Sequence, residues 1–244
     1  MIKKLVGIVF LTSISLAATG QINSKIKPSV RPDIPGIFTF EFGFNRDLDG
    51  PDRFSPDFLG SRSANIYYQY EFRLFKSPFS FVPGFGMSLE RHKMKNDYTL
   101  DYENSTSDQV ILVSPENSPY PGIKKSMIIT NYLDVPLEFR YTMKPDDPTR
   151  SFKISVGGRF GYLFDSSSKV KYKENSETKM MKDKQDFNLT KFRYGLTGKL
   201  GFGNFMFFGY YNLTPLFEKG KGLQTDGESN DFSTITFGIS LSSF

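Results

Sequence analysis

The chain contains no cysteine, no tryptophan and a single histidine, His92, in 244 residues. Without cysteine there is no disulfide framework, no thiolate metal site and no lipid-bearing cysteine. With one histidine, a cluster of imidazoles for metal binding is excluded. A large excess of one charge is also missing, since the net charge is +5 and loses two more with Lys3 and Lys4 if the leader is removed. That is too little for a nucleic-acid binder. Nor is there an apolar run of the roughly 18 residues a membrane helix needs. The longest run, Leu5 to Ala18, is broken by Thr12, Ser13 and Ser15, follows Lys3-Lys4, and ends at the small residues Ala18-Thr19-Gly20. Residues 1–20 therefore read as a signal peptide, with Gln21 as the mature N-terminus. Residues 21–35, with Pro28, Pro32 and Pro35, read as a periplasmic arm, and residues 36–244 as one domain.

What the sequence does have is 26 Phe and 13 Tyr, set at period two. From Gly36 to Arg46, Phe38, Phe40, Phe42 and Phe44 share one parity and Thr39, Glu41, Gly43 and Asn45 the other. The same alternation runs through Ser63–Phe75, Phe79–Met94, Ser126–Tyr141, Phe152–Phe164, Phe192–Gly201 and Phe232–Phe244. In Phe205–Leu213 the contiguous Phe205, Met206, Phe207 and Phe208 leave the parity open; odd positions are taken as outward, placing Tyr210 and Asn212 inside. Lys76-Ser77-Pro78, Lys144 to Pro148 and Gly203-Asn204 are turn chemistry. Lys95–Lys125 and Ser166–Asp186 lose the alternation and read as long polar surface loops.

Eight strands result, linked alternately by long and short connections. This predicts an eight-stranded antiparallel up-and-down transmembrane β-barrel with short periplasmic turns and long extracellular loops, in the bacterial outer membrane. The expected partners are outer-membrane lipid and lipopolysaccharide and the barrel-assembly machinery, with no nucleic acid. The inward parity carries Glu41, Glu71, Arg73, Glu90, Glu138, Arg140, Lys153, Arg159, Arg193 and Lys199. In a barrel this narrow these side chains fill the lumen, and each charge needs a partner to offset desolvation.

No catalytic, cofactor or metal residues are expected. His92, beside Glu90 and Arg91, has no nucleophile tied to it by spacing and reads as a rim residue in the lipid headgroup zone. Asn45-x-Asp47-x-Asp49-Gly50 imitates the start of a calcium loop, but Pro56 stands where a bidentate Glu is required. Gly157-Gly158 and Gly201-x-Gly203 precede no helix, so they form no phosphate cradle. The lysines of 169–184 are diluted by Glu174, Glu177 and Asp183 and read as a solvated loop.

Asn131-Tyr132-Leu133-Asp134-Val135-Pro136-Leu137, Gly157-Gly158-Arg159-Phe160-Gly161-Tyr162-Leu163, Phe208-Gly209-Tyr210-Tyr211-Asn212-Leu213 and the terminal Phe244 resemble the PorT-like outer-membrane β-barrel family of Bacteroidetes. The Tyr-Leu-acid-aliphatic-Pro-Leu strand is the most specific part. Phe244 departs in parity from Ile239 and Leu241, which puts the normal form of the assembly signal in question. The resemblance implies a non-enzymatic envelope component, an accessory of protein secretion with secretion-system proteins as partners. Two alternatives stay open: a barrel enzyme acting on lipid or peptide at the outer rim around His92, and a narrow small-solute pore.

Overall fold

The computed structural model describes residues 36–48, 50, 59–94, 98–101, 110–225 and 228–243. The signal peptide and arm expected before residue 36, Asp49 and Pro56 of the calcium-like stretch, and Phe244 lie outside the described residues. The strands are β1 (Ile37–Leu48), β2 (Arg62–Gln69), β3 (Phe72–Arg73), β4 (Phe79–Lys93), β5 (Thr99–Asp101), β6 (Val110–Val113), β7 (Ile123–Thr142), β8 (Phe152–Glu174), β9 (Glu177–Asp183), β10 (Phe192–Phe202), β11 (Phe205–Asn212), β12 (Leu223–Thr225), β13 (Glu228–Asn230) and β14 (Ser233–Ser242).

Antiparallel pairing runs β1–β2–β4–β7–β8–β10–β11–β14 and back to β1, closing a ring of eight strands. Every ring strand keeps the alternation seen in the sequence, because one face must satisfy lipid and the other the lumen. Phe42, Phe85, Phe139 and Phe207 are outward and more than half exposed. A soluble monomer does not tolerate an apolar patch of that extent. β11 settles its own ambiguity: Met206, Phe208, Tyr210 and Asn212 are buried, and the odd positions face out.

The register fixes the barrel's geometry. From Arg46, successive partners are Ile235, Tyr211, Leu196, Gly158, Leu137 and Pro83. Tyr70 donates its N–H to the Pro83 carbonyl at 2.9 Å. Its neighbour Gln69 faces Ile37, so the path returns to β1 near Gly36, a stagger of about ten residues. Eight strands with that stagger tilt by roughly 40° and leave an interior that side chains can fill.

Three expectations need correction. The second strand, read as continuous to Phe75, is split into β2 and β3. Pro83 has no N–H to return to Tyr70, so the ladder opens there, although the register is unbroken on either side. The stretch 95–125, read as a loop, holds β5, β6 and the first residues of β7. β5 and β6 join β12 and β13 in a separate four-stranded sheet, with β6 and β12 parallel. The stretch 166–186, also read as a loop, is the continuation of β8 and its hairpin with β9. Asn175 and Ser176 turn that hairpin with φ of 49° and 66°, the positive values that a two-residue hairpin of the primed class uses.

Candidate functional site

Alternation delivers one inward side chain from each strand at nearly every level of the barrel, and the middle levels carry charge. Glu41 on β1 meets Arg159 on β8 at 2.9 Å and Lys199 on β10 at 2.7 Å. The Lys199 ammonium also lies 2.6 Å from Glu138 on β7, which Arg140 approaches at 3.6 Å. Arg140 reaches Glu71 at 3.1 Å and donates to the Ser155 hydroxyl. Neutral donors complete the cluster: Asn65 donates to Glu41, Gln69 to Glu138 and Thr39 to Gln69. The result is a ladder of alternating signs across the barrel.

A second cluster lies nearer the extracellular end. Arg193 on β10 binds Glu90 at 2.6 Å and both oxygens of Asp134 at 2.9 and 3.2 Å. Tyr67 and Ser88 donate to Asp134 as well. Aromatic faces cover what remains of the guanidinium groups. Arg193 stacks 3.7 Å from the Tyr132 ring centroid, and Arg159 lies 4.4 Å from Tyr210 and 5.0 Å from Tyr67. Glu41, Asp134 and Glu138 are each at most 1% exposed, so an unpaired charge here would be untenable.

Eight of the ten inward residues read from the sequence thus meet in these clusters. Arg73 instead pairs with Asp146 at 3.3 Å in the exposed periplasmic turn region. Lys153 is buried, and no ion pair joins it to an acid among the described residues. Asp134 lies outside those ten, although its parity and its place in the Asn131–Leu137 motif both point to it. His92 also differs from its reading as a lipid-facing rim residue: it shares the inward parity of Glu90, is 1% exposed, and its Nε2 lies 3.7 Å from the Glu90 carboxylate.

Above His92 the chemistry changes. Ile128, Tyr132 and Leu163 on the inner wall pack with Met94, Val110, Phe187, Leu189, Leu216, Phe217 and Phe232 from the extracellular connections. Backbone bonds fasten this cap: Thr190 donates to Leu216, Leu216 to Phe232, and Leu163 to Lys191. Tyr132 joins both regions, since its ring covers Arg193 and its hydroxyl donates to the Thr190 carbonyl. Lys179 is paired with Glu174 and Lys191 with Asp186, and each carboxylate raises its lysine's pKa above the ordinary value. No group of three or more His, Cys, Asp or Glu suited to a metal ion exists among the described residues.

A closed ring of eight tilted strands with an apolar outer face and a charged, filled lumen defines an outer-membrane barrel. The family model for the outer membrane protein beta-barrel domain matches residues 36–218, and the chain belongs to that family. No curated protein matches it. Among solved structures it is similar to Ail, the attachment invasion locus protein of Yersinia pestis, at 14% identity over 85% of this chain and 97% of that one, with a TM-score of 0.35. A second structure, Ail in complex with the heparin analogue sucrose octasulfate, gives 14% identity, 86% and 100% coverage, and a TM-score of 0.34.

Proposed function

We propose that this outer-membrane barrel is a non-conducting, non-enzymatic envelope component that serves protein secretion as an accessory, engaging partners through its extracellular cap or periplasmic face. The observation that carries the reading is the doubly filled lumen. Ion pairs occupy its middle and an apolar cluster its extracellular end, and this packing supports a lumen that carries no solute. The burial of His92 beneath that cluster argues against a rim enzyme built on it. The secretion role and the PorT-like assignment rest on the resemblance carried by Asn131–Leu137. Export by a leader cleaved after Gly20 belongs to the same reading.

Three measurements test it. Planar-bilayer recordings of the purified barrel should show no unitary conductance; reproducible single-channel steps would replace the reading with a pore. In a strain lacking the protein, secreted cargo should accumulate in the periplasm and return to the medium on complementation. Unchanged secretion would remove the accessory role. The intact mass of the mature protein should begin at Gln21.

A further inference from the structure

The outward face carries one feature that lumen and cap leave unused. At the extracellular edge of β2, β4, β7 and β8, the alternation that places apolar residues toward lipid turns abruptly basic. Along β4 the outward series Phe85, Met87, Leu89 continues as Arg91 and Lys93, and along β2 Ile66 and Ala64 continue as Arg62. The ladder then sets like charges directly opposite one another: Arg62 against Arg91, Lys125 against Lys171, and Lys169 against Lys182. Lys93 and Lys169 flank Met127 from either side. Lys125 lies in the repulsive field of Lys93, Arg62, Lys169 and Arg91 together.

Opposed like charges destabilise a sheet, so three such pairs in one patch work against the fold unless an anion joins them. The nearby described acids are engaged elsewhere. Asp165 holds Lys184, Asp183 accepts from Gln185, and Glu174 holds Lys179. Among the described residues no ion pair reaches Arg62, Arg91, Lys125 or Lys169. The patch faces outward, begins where the apolar belt ends, and sits on the side of the long connections. That is the depth of the outer-leaflet headgroups. Paired guanidinium groups with ammonium groups beside them suit the oxygens of a phosphate monoester, which accept two N–H bonds at once.

We propose that Arg62, Arg91, Lys125 and Lys169 form a binding site for the phosphate groups of a phosphorylated glycolipid headgroup in the outer leaflet. The lipid's acyl chains lie against Leu89, Ile66 and Ala64 while its phosphates neutralise the cationic rows above them.

The test uses the full mature barrel in zwitterionic detergent, with binding read by native mass spectrometry. Bisphosphorylated lipid A should form a complex that survives delipidating wash, and enzymatically dephosphorylated lipid A should bind at least tenfold more weakly. The variant R62Q/R91Q/K125Q/K169Q should lose binding by a similar factor, whereas K179Q/K191Q, which removes internally paired lysines, should bind as the parent does. Heat-modifiable gel mobility establishes that each variant is folded, and the dephosphorylated lipid tests the idea without any substitution. Equal binding of both lipid forms, or undiminished binding by the quadruple variant, overturns the proposal. Displacement of lipid A by millimolar inorganic phosphate also overturns it, because the site would then be one for a free anion.

Discussion

The middle of the lumen and its extracellular end are both packed with side chains, but of opposite chemistry. In the middle, Glu41 and Glu138 are held by Arg159, Lys199 and Arg140, and Asp134 and Glu90 by Arg193, in two clusters of charge-assisted contacts. At the end, the apolar side chains of Phe217, Phe232, Leu216 and Leu189 pack together in one hydrophobic cluster. The first kind of packing is specific and brittle, since losing one ion strands its neighbours. The second is tolerant in chemistry but depends on volume. Barrel residues supply the first, whereas the connections supply most of the second, so the two should fail separately.

The largest effect should come from the ionic half. Arg193→Met leaves Glu90 and Asp134 buried together with no cation, a loss of about 3–5 kcal/mol. Urea unfolding followed by gel mobility should show a lower midpoint, and the triple variant R193M/E90Q/D134N should recover most of it. If R193M were as stable as the parent, the network would be ornamental. Next comes the cap. Phe217→Ala removes a fully buried ring at a local cost of about 3 kcal/mol or more. Because the cost falls on the connections, limited proteolysis from outside should accelerate while the barrel's own unfolding midpoint stays put. A midpoint that moved equally would mean that cap and wall unfold as one unit.

His92→Gln should cost on the order of 1 kcal/mol, because the imidazole is buried but lies beyond hydrogen-bond distance of Glu90. A gain or loss of any enzymatic activity on this substitution would revive the rim-enzyme alternative. Smallest of all, Lys191→Ala should leave the unfolding midpoint unchanged, since its pair with Asp186 is solvent-exposed.

Wall and cap also differ in how far the sequence discloses them. Parity alone placed Glu41, Glu138, Arg159 and Lys199 in the lumen, because a strand side chain has two directions and lipid forbids one of them to charge. Parity could not say who pairs with whom, which depends on register and stagger. Arg73 shows where the rule weakens: it shares the lumenal parity but lies near the strand end, where the periplasmic turn offers Asp146. The cap was illegible for a different reason. β5, β6, β12 and β13 span three or four residues each, too short for any period to show, and they are recruited by strands far away in the chain. The β8–β9 hairpin was missed because its outward residues are lysines rather than phenylalanines, so an above-membrane extension looked like a loop.

The parallel pairing of β6 with β12 also sets an order in time. Leu223 can meet Val110 only after the four intervening ring strands β7, β8, β10 and β11 have been made or the chain has been held in place without them, and this is the longest-range backbone pairing of the cap among the described residues. Loop-closure cost makes such contacts late. The barrel therefore zips while its extracellular end is still open to water, and the lumenal charges choose their partners in a medium that forgives errors. Only afterwards does the lid close and remove the solvent that allowed them to exchange.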